Sequence, residues 1–349
     1  MERFKDEDVN KLRACLEHKE ETIVVVPHIN ADGDATGSVF GLWRVLTNSG
    51  HTVKVITPNS YAGYYNWMCG HQDAYIFNRQ TETSAKILEK AGILICMDFN
   101  QPSRAGDMEK LIINFKGTKI LIDHHPDPAD FADIVFSDTR RSSTAELAFA
   151  LLNAAGFGEY IDKDAASCFY AGIMTDTGSF NYSVSDPETF RTISKLIEYG
   201  IDQNRIHTAI YDNFSEERMR LLGHCLHNRM KVFPDYHTAY IYLTKEDQKE
   251  FNFKKGDSEG FVNYPLSIKG IHFSAFFSEN DDHVKVSFRS KGKFPVNRFS
   301  EENYNGGGHV NAAGGEIYVS LQEAIDKFET LLPDYKKQLD ESDPGKQEQ

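Results

Sequence analysis

Cysteine is scarce in this chain of 349 residues. There are five, an odd number, scattered at Cys15, Cys69, Cys96, Cys168 and Cys225 with no CxxC pair. That pattern argues against a disulfide scaffold and against a zinc–thiolate site, and a Cys in an apolar context reads as a small buried hydrophobe. Long apolar runs are missing too: none approaches the roughly 20 residues that a membrane helix needs. Residues 1–20 are charged and helix-patterned, without the apolar core of a signal peptide, so a soluble, cytoplasmic protein is expected. Positive charge is in deficit, with a net charge of −14. A protein that coats long nucleic acid must neutralise many phosphates, so this balance opposes that function. It leaves room for a small phosphorylated ligand in a local basic pocket, and carboxylates gathered around metal cations would themselves raise the acidic count. There is no internal repeat and no Gly/Ser linker, so domains, if more than one, are joined fairly stiffly.

The length exceeds what one hydrophobic core usually holds, which makes two domains the expectation. Hydrophobic content of 40% and aromatic content of 12% are ordinary for a globular chain. Helical patterns cover residues 6–18, 34–49, 81–91, 104–115, 142–155 and 163–174. Short apolar strands fall at 22–26, 53–57, 93–97 and 119–122. This alternation predicts an α/β domain, a mostly parallel, doubly wound sheet with helices on both faces. Residues 61–67 read as an aromatic-rich loop or short helix. The predicted layout is a catalytic domain over 1–200, a helical connector over 201–230, a smaller α/β domain over 231–334 and a disordered tail over 335–349. The second domain is expected to hold strands at 239–243, 272–277, 284–289 and 316–319, closed by a helix over 321–332.

Three of the apolar runs end in Asp or His: VVVPHINADGD, ILICMDFN and ILIDHHP. Ligands of such sheets sit beyond the carboxyl ends of the strands, where these residues fall. His28, Asp32, Asp34, Asp98, His124 and Asp176 form a donor set of imidazole and carboxylate without thiolate, which suits manganese, with magnesium as the alternative. Two metals about 4 Å apart are the usual device for in-line displacement at phosphorus, and Asp98, alone at its strand end, is the candidate for a shared ligand. Each place also has a plain structural reading. Asp32-Gly33-Asp34 could be a turn, Asp98 a helix cap, and Asp176-Thr177-Gly178 a helix terminus. Asp123-His124-His125 is harder to explain that way, because three adjacent polar groups after an apolar run are costly to bury without a shared purpose. In the second domain, Gly306, Gly307, Gly308 and His309 precede a segment read as a helix start, where backbone N–H groups would face an anion. Arg289, Lys291 and Lys293 cluster around Ser290 just upstream, and together with the glycine run they suggest a phosphate clamp.

HINADGDATGS, MDFN, DHH and MTDTGSF, in this order, resemble the four motifs of the DHH phosphoesterase superfamily. RSKGKFPVN followed by GGGHVNAAGG resembles the smaller substrate-binding domain of many of its members. Length and motif order are most similar to the bacterial nanoRNase/pAp phosphatase family, over residues 22–332. The resemblance implies a hydrolase that cuts very short RNA, of about two to five residues, to mononucleotides. It implies also removal of the 3′-phosphate of 3′-phosphoadenosine 5′-phosphate (pAp), with two Mn2+ ions as cofactors. His28, Asp32 and Asp98 would hold one metal, and Asp34, Asp98, His124 and Asp176 the other. Asp123 would orient the adjacent histidines and His125 would face the scissile phosphate. Arg104, Arg289, Ser290, the glycines 306–308 and His309 would contact substrate. Many relatives read FGGGGH where this chain has YNGGGH, and Asn305 keeps a backbone N–H there. The expected partners are short RNA and pAp, not long nucleic acid or membrane, and a homodimer is allowed. Other readings stay open. They are a cyclic-di-AMP or pApA phosphodiesterase, a family II pyrophosphatase, a RecJ-like exonuclease and a catalytically dead nucleotide-binding regulator.

Overall fold

Runs such as TIVVV and ILICM are apolar at every position, so neither face can meet water and each must be covered on both sides. In the computed structural model they join a six-stranded sheet of β1 (Thr22–Val26), β2 (Thr52–Thr57), β3 (Tyr75–Ile76), β4 (Ile93–Met97), β5 (Thr118–Asp123) and β6 (Ile134–Ser137). Their spatial order is β3-β2-β1-β4-β5-β6, and every pairing is parallel. The structure describes residues 4–181, 184, 186–254 and 256–342. They fall into two compact units, Met1–Asn213 and Phe214–Gln349.

Alternate residues of one strand enter opposite layers. Ile23 and Val25 pack with α1 (Asp6–Glu17), α2 (Gly33–Asn48), α5 (Thr144–Ala154) and α6 (Lys163–Asp176). Val24 and Val26 pack against Leu88 of α3 (Thr81–Lys90) and Ile112 of α4 (Glu109–Ile113). The doubly wound α/β expectation is therefore met. The strand order reverses at β1, which opens the crevice between the carboxyl ends of β1 and β4. His28 follows one of these ends and Asp98 the other.

Several details differ from the sequence reading. Strands β3 and β6, two edge strands of two and four residues, were not expected. The helix read over 104–115 is interrupted, because Gly106 takes a positive φ of 57° inside the 3-10 stretch Pro102–Met108, and α4 begins only at Glu109. Residues 201–230 do not form a separate connector. After α7 (Pro187–Glu198), α8 (Gln203–Tyr211) buries Ile206 and Ile210 in the first unit's core. Then α9 (Glu216–Asn228) buries Leu221, Leu222 and Cys225 in a core of the second.

The second unit is a mixed sheet of β7 (Met230–Phe233), β8 (Thr238–Leu243), β9 (Phe273–Glu279), β10 (Val284–Ser290), β11 (Gly307–His309) and β12 (Ala312–Ile317), ordered β11-β12-β10-β9-β8-β7. Helix α10 (Lys245–Glu250) follows β8. Phe273, Phe277 and Phe288 pack with Phe299 of α11 (Val296–Tyr304) and Phe328 of α12 (Leu321–Glu341). The expected helix after the glycine run is absent. Residues 307–317 form a hairpin, with Gly308 opposite Ala313. Its residues are small for a steric reason: a Cβ on Gly306 would run into the Gly314 carbonyl and the Ser300 hydroxyl. The closing helix also outruns its expected end. It passes Pro333 and continues to Glu341, because Leu332 and Leu339, seven residues apart, both bury on one face. Residues 335–341 of the expected disordered tail are thus helical, and 343–349 lie outside the described residues. Among the described residues no helix is long and apolar enough to cross a membrane.

Candidate metal centre

The site begins where β1 gives out. His28 is buried, and its Nδ1 donates to the Ile29 carbonyl at 2.8 Å, which leaves the Nε2 lone pair facing inward. Nε2 lies 3.8 Å from Asp32 Oδ1 and 3.5 Å from Asp98 Oδ2. Asp32 is also the N-cap of α2, where its Oδ1 accepts from the Asp34 and Ala35 amides at 3.1 and 3.0 Å. The turn-and-cap reading is met at Asp32, and the same side chain faces His28.

Asp34 opens α2 and Asp176 closes α6, and close helix packing brings them together. A Cβ on Gly37 would lie 2.5 Å from the Cys168 carbonyl, and one on Gly41 would lie 2.6 Å from the Phe169 ring. Gly33 similarly abuts Thr175. Glycines four residues apart make one ridge without side chains, so the two helices approach until their acidic ends meet.

Asp98 follows β4 in the left-handed region, with φ 65°, an uncommon conformation for a residue other than glycine. Its amide donates to the Ile122 carbonyl at 3.1 Å. His124, just past β5, uses Nδ1 to donate to the Arg141 carbonyl at 3.2 Å. Its Nε2 then faces Asp34 Oδ2 at 3.8 Å, Asp98 Oδ1 at 3.8 Å and Asp176 Oδ2 at 3.6 Å. His125 donates from Nδ1 to Asp123 Oδ1 at 2.8 Å. Asp123 is fully buried, and its Oδ2 has no hydrogen-bond partner among the described residues. Asp123 therefore fixes one histidine of the pair, His125; the Arg141 carbonyl fixes the other.

The electrostatics are those of crowded carboxylates. Burial, reinforced by Asp98, Asp176 and Asp32, pushes Asp34 well above the usual carboxylate range. Burial also raises Asp176 to about 6, against the pull of His124. Asp98 goes the other way: burial opposes its ionisation, but His28, His125 and His124 hold its pKa low. Burial likewise disfavours imidazolium at His28 and His124, yet the surrounding Asp residues raise both.

This geometry fits bound cations. Separations of 3.5–3.8 Å are too long for hydrogen bonds. Donor atoms about 2.1–2.2 Å from one hard cation, and roughly 90–120° apart around it, sit about 3.0–3.8 Å from one another. Two inward lone pairs, each with its other ring nitrogen tied to a carbonyl, match the way ligating histidines are held. The donors form one group of His28, Asp32 and Asp98 and another of Asp34, His124 and Asp176. Asp98 offers an oxygen to each.

Arg104 lies on the 3-10 segment, where its carbonyl accepts from the Ile29 amide at 2.7 Å. Its guanidinium is near enough to work against protonation of His28. The remaining expected substrate residues are in the second unit. His309 pairs with Ala312 on β12, and Ala312 pairs with Arg289 on β10, so Arg289 and His309 share a row and a face of the sheet. Arg289 Nη1 donates to the Phe288 carbonyl at 2.9 Å. The Ser290 hydroxyl is spent on its own loop, donating to the Phe294 carbonyl at 2.7 Å and accepting from Asn311 at 2.8 Å. Glycines 306–308 belong to the hairpin edge, not to a helix start.

The contacts that residues 141–146 make with the site escaped the sequence reading. The Thr144 and Ala145 amides bind the Asp34 carboxylate at 2.6 and 2.8 Å, and the Thr144 hydroxyl binds Asp98 Oδ1 at 2.8 Å. The available signal was Ser143-Thr144-Ala145-Glu146, a helix-start pattern. It marks the helix but not what the helix start touches.

Comparison with known proteins gives the family. Residues 22–173 match the DHH family, N-terminal domain, and residues 235–336 the DHHA1 domain. The chain is 31% identical over 316 residues to a probable bifunctional oligoribonuclease and PAP phosphatase of Streptococcus mutans, covering 89% of this chain and 94% of the relative. It is 28% identical over 323 residues to the bifunctional oligoribonuclease and PAP phosphatase of Bacillus subtilis, covering 90% and 96%. A crystal structure of an exopolyphosphatase-related protein from Bacteroides fragilis superposes with a TM-score of 0.91 at 43% identity, covering 96% and 98%. With both domains matched in order and relatives aligned nearly end to end, the chain belongs to the DHH phosphoesterase family.

Proposed function

We propose that this protein is a manganese-dependent phosphoesterase of the cytoplasm that hydrolyses RNA of about two to five residues to mononucleotides and converts pAp to AMP. The observation that carries the reading is Asp98, whose two oxygens face the two inward imidazoles, Oδ2 toward His28 and Oδ1 toward His124. His28, Asp32 and Asp98 would hold one ion, and Asp34, Asp98, His124 and Asp176 the other. Such a pair of divalent cations lowers the pKa of a water and neutralises charge on a phosphate. The chain's own groups do the rest. His125, its ring oriented by the Nδ1 hydrogen bond to Asp123, would face the scissile phosphate. Arg104 adds positive charge beside His28. Arg289 and His309, in one row of the second sheet, are the groups offered to a further phosphate. The substrate class is supported by the names of the Bacillus and Streptococcus relatives, which carry both activities.

One panel with Mn2+ tests it, using pAp, pApA, diadenylate RNA, long single-stranded DNA and pyrophosphate. The expected result is turnover of pAp and diadenylate above the rest. Preference for pApA would move the reading to a dinucleotide phosphodiesterase. Rates that climb with strand length would overturn it in favour of a processive exonuclease.

A further inference from the structure

Resting on the two-ion reading above, we infer that Thr144 is the positioning residue that sets Asp98 between the two donor groups. An aspartate carboxylate, turning about χ1 and a broad χ2, can present both oxygens to one ion, or one oxygen to each of two. Nothing in Asp98 itself chooses. The Thr144 hydroxyl does, by donating to Oδ1 at 2.8 Å from a residue 46 positions away. With Oδ1 held on that side, Oδ2 is left 3.5 Å from His28 Nε2 while Oδ1 stays 3.8 Å from His124 Nε2. The same residue's amide donates to Asp34 Oδ2 at 2.6 Å. One residue therefore grips a carboxylate that serves both groups and another that serves the second.

The grip is stiff for reasons that can be traced. Thr144 is the first residue of α5, so its amide is one of the donors that a helix start leaves without an internal partner, and here it is spent on Asp34. Its β-branched side chain limits χ1 to few rotamers, which narrows where the hydroxyl can go once the backbone is fixed. The backbone is fixed by Ser143, whose hydroxyl accepts from the Glu146 amide at 3.1 Å. The Glu146 carboxylate, 1% exposed, in turn accepts from the Ser142 amide and hydroxyl, Arg141 Nη1 and the Thr189 hydroxyl at 2.8–3.0 Å. Arg141 closes the circuit, since its carbonyl accepts from His124 Nδ1. A threonine that only filled space could satisfy its hydroxyl within its own helix start; this one reaches across to the carboxylate.

The test uses the full chain, stripped of metal, as wild type, Thr144→Val and Thr144→Ser. Calorimetric titration with Mn2+ gives the affinity and number of ions. Electron paramagnetic resonance gives the coupling between them, and melting without metal reports the fold. Thr144→Val keeps the shape and removes the donor. It should melt near wild type without metal, lose about ten- to a hundredfold in Mn2+ affinity at one ion, and weaken the coupling. Thr144→Ser should restore both. Wild-type affinity and coupling in the valine variant would overturn the inference and leave the two-ion reading standing. Equal losses in the serine and valine variants, with a lowered metal-free melting point, would overturn it in favour of a packing role. A wild-type chain that binds fewer than two ions would bring down the two-ion reading and this inference with it. If the valine chain does not fold, Thr144→Ala replaces it under the same criteria.

Discussion

Asp98→Asn separates what this residue does for the fold from what it does for the site. Asn tolerates the left-handed φ of 65° better than most residues, and its amide oxygen can still accept the Thr144 hydroxyl 2.8 Å away. The negative charge goes, and one ligand oxygen becomes an NH2 group that cannot bind a cation. Two electrostatic changes then oppose each other. Asp34 and Asp176 lose a like-charged neighbour, while His28, His124 and His125 lose an opposite one. The metal-free melting point should accordingly move little. The effect on turnover should be large, because the lost group serves both ions. Disturbing the support of a bound metal costs about 10–100-fold, so losing a ligand common to two should cost about 10²–10⁴-fold. That is about 2.7–5.4 kcal/mol of transition-state stabilisation at about 1.36 kcal/mol per decade. The assay is steady-state hydrolysis of pAp at saturating Mn2+, with a melting curve on the same preparation. Turnover within about tenfold of wild type would refute a shared ligand, and collapse of the metal-free protein would show that Asp98 is a structural node.

Arg289→Ala should raise KM for pAp roughly 10–100-fold, the size of a lost charge-assisted contact of about 1.5–3 kcal/mol, and leave Mn2+ affinity unchanged. A fall in Mn2+ affinity at constant KM would remove Arg289 from the substrate site. Gly37→Ala puts a methyl group 2.5 Å from the Cys168 carbonyl and should force α2 from α6. It should cost about 1–2 kcal/mol even after alanine's better helix propensity, with weaker Mn2+ binding in parallel; calorimetric scanning and titration read both. Asp247 accepts from His224 at 3.0 Å and from Arg229 at 3.0 and 2.9 Å in the second unit, and although burial opposes its ionisation, Arg229 holds its pKa low. A carboxyl depressed in the folded state adds stability above its unfolded pKa, near 4, and loses it as the pH falls below. Asp247→Ala should cost about 3 kcal/mol at neutral pH and flatten the acid limb of the stability profile, as urea titrations at pH 7 and pH 3.5 would show.

The parallel half of the fold was legible because its strands are long enough to carry a signal. TIVVV and ILICM leave no polar face, and helical periods separate them. Strands β3 and β6 were missed because two and four residues at a sheet edge offer no such run. The hairpin in the second unit was misread for another reason. AAGGEI has one β-branched residue and two glycines, a poor strand by propensity. It is a strand because β10 pairs with it along six residues and because Ser300 and Tyr304 of α11 press on it where only small residues fit. Tertiary packing decided that segment, and packing is not written in local composition. The closing helix, expected to end at residue 332, runs past Pro333 for a similar reason. A proline in a helix weakens the local ladder, but Leu339 has a buried place to go and the helix continues.

Candidate ligand atoms can be read from a sequence because chemistry restricts which residues supply them, and a strand end restricts where. Their supports obey no such restriction. The His124 ring is held by the carbonyl of Arg141, which any residue would offer. Asp34 is held by two amides of α5, which carry no side-chain identity at all. Thr144 adds a side chain, and a threonine after a serine at a helix start looks like capping. The need for these supports follows from the ligands themselves. Carboxylates drawn together with two of them buried, Asp34 and Asp98, repel, as the raised pKa values of Asp34 and Asp176 record. Without donors to hold them, the cheaper state is for one to swing away or take up a proton. Amides at a helix start add positive potential where it is needed and introduce no further titrating group. A cluster of this kind therefore has to be braced by backbone, and the part of it that sequence hides is the part that keeps its donors together.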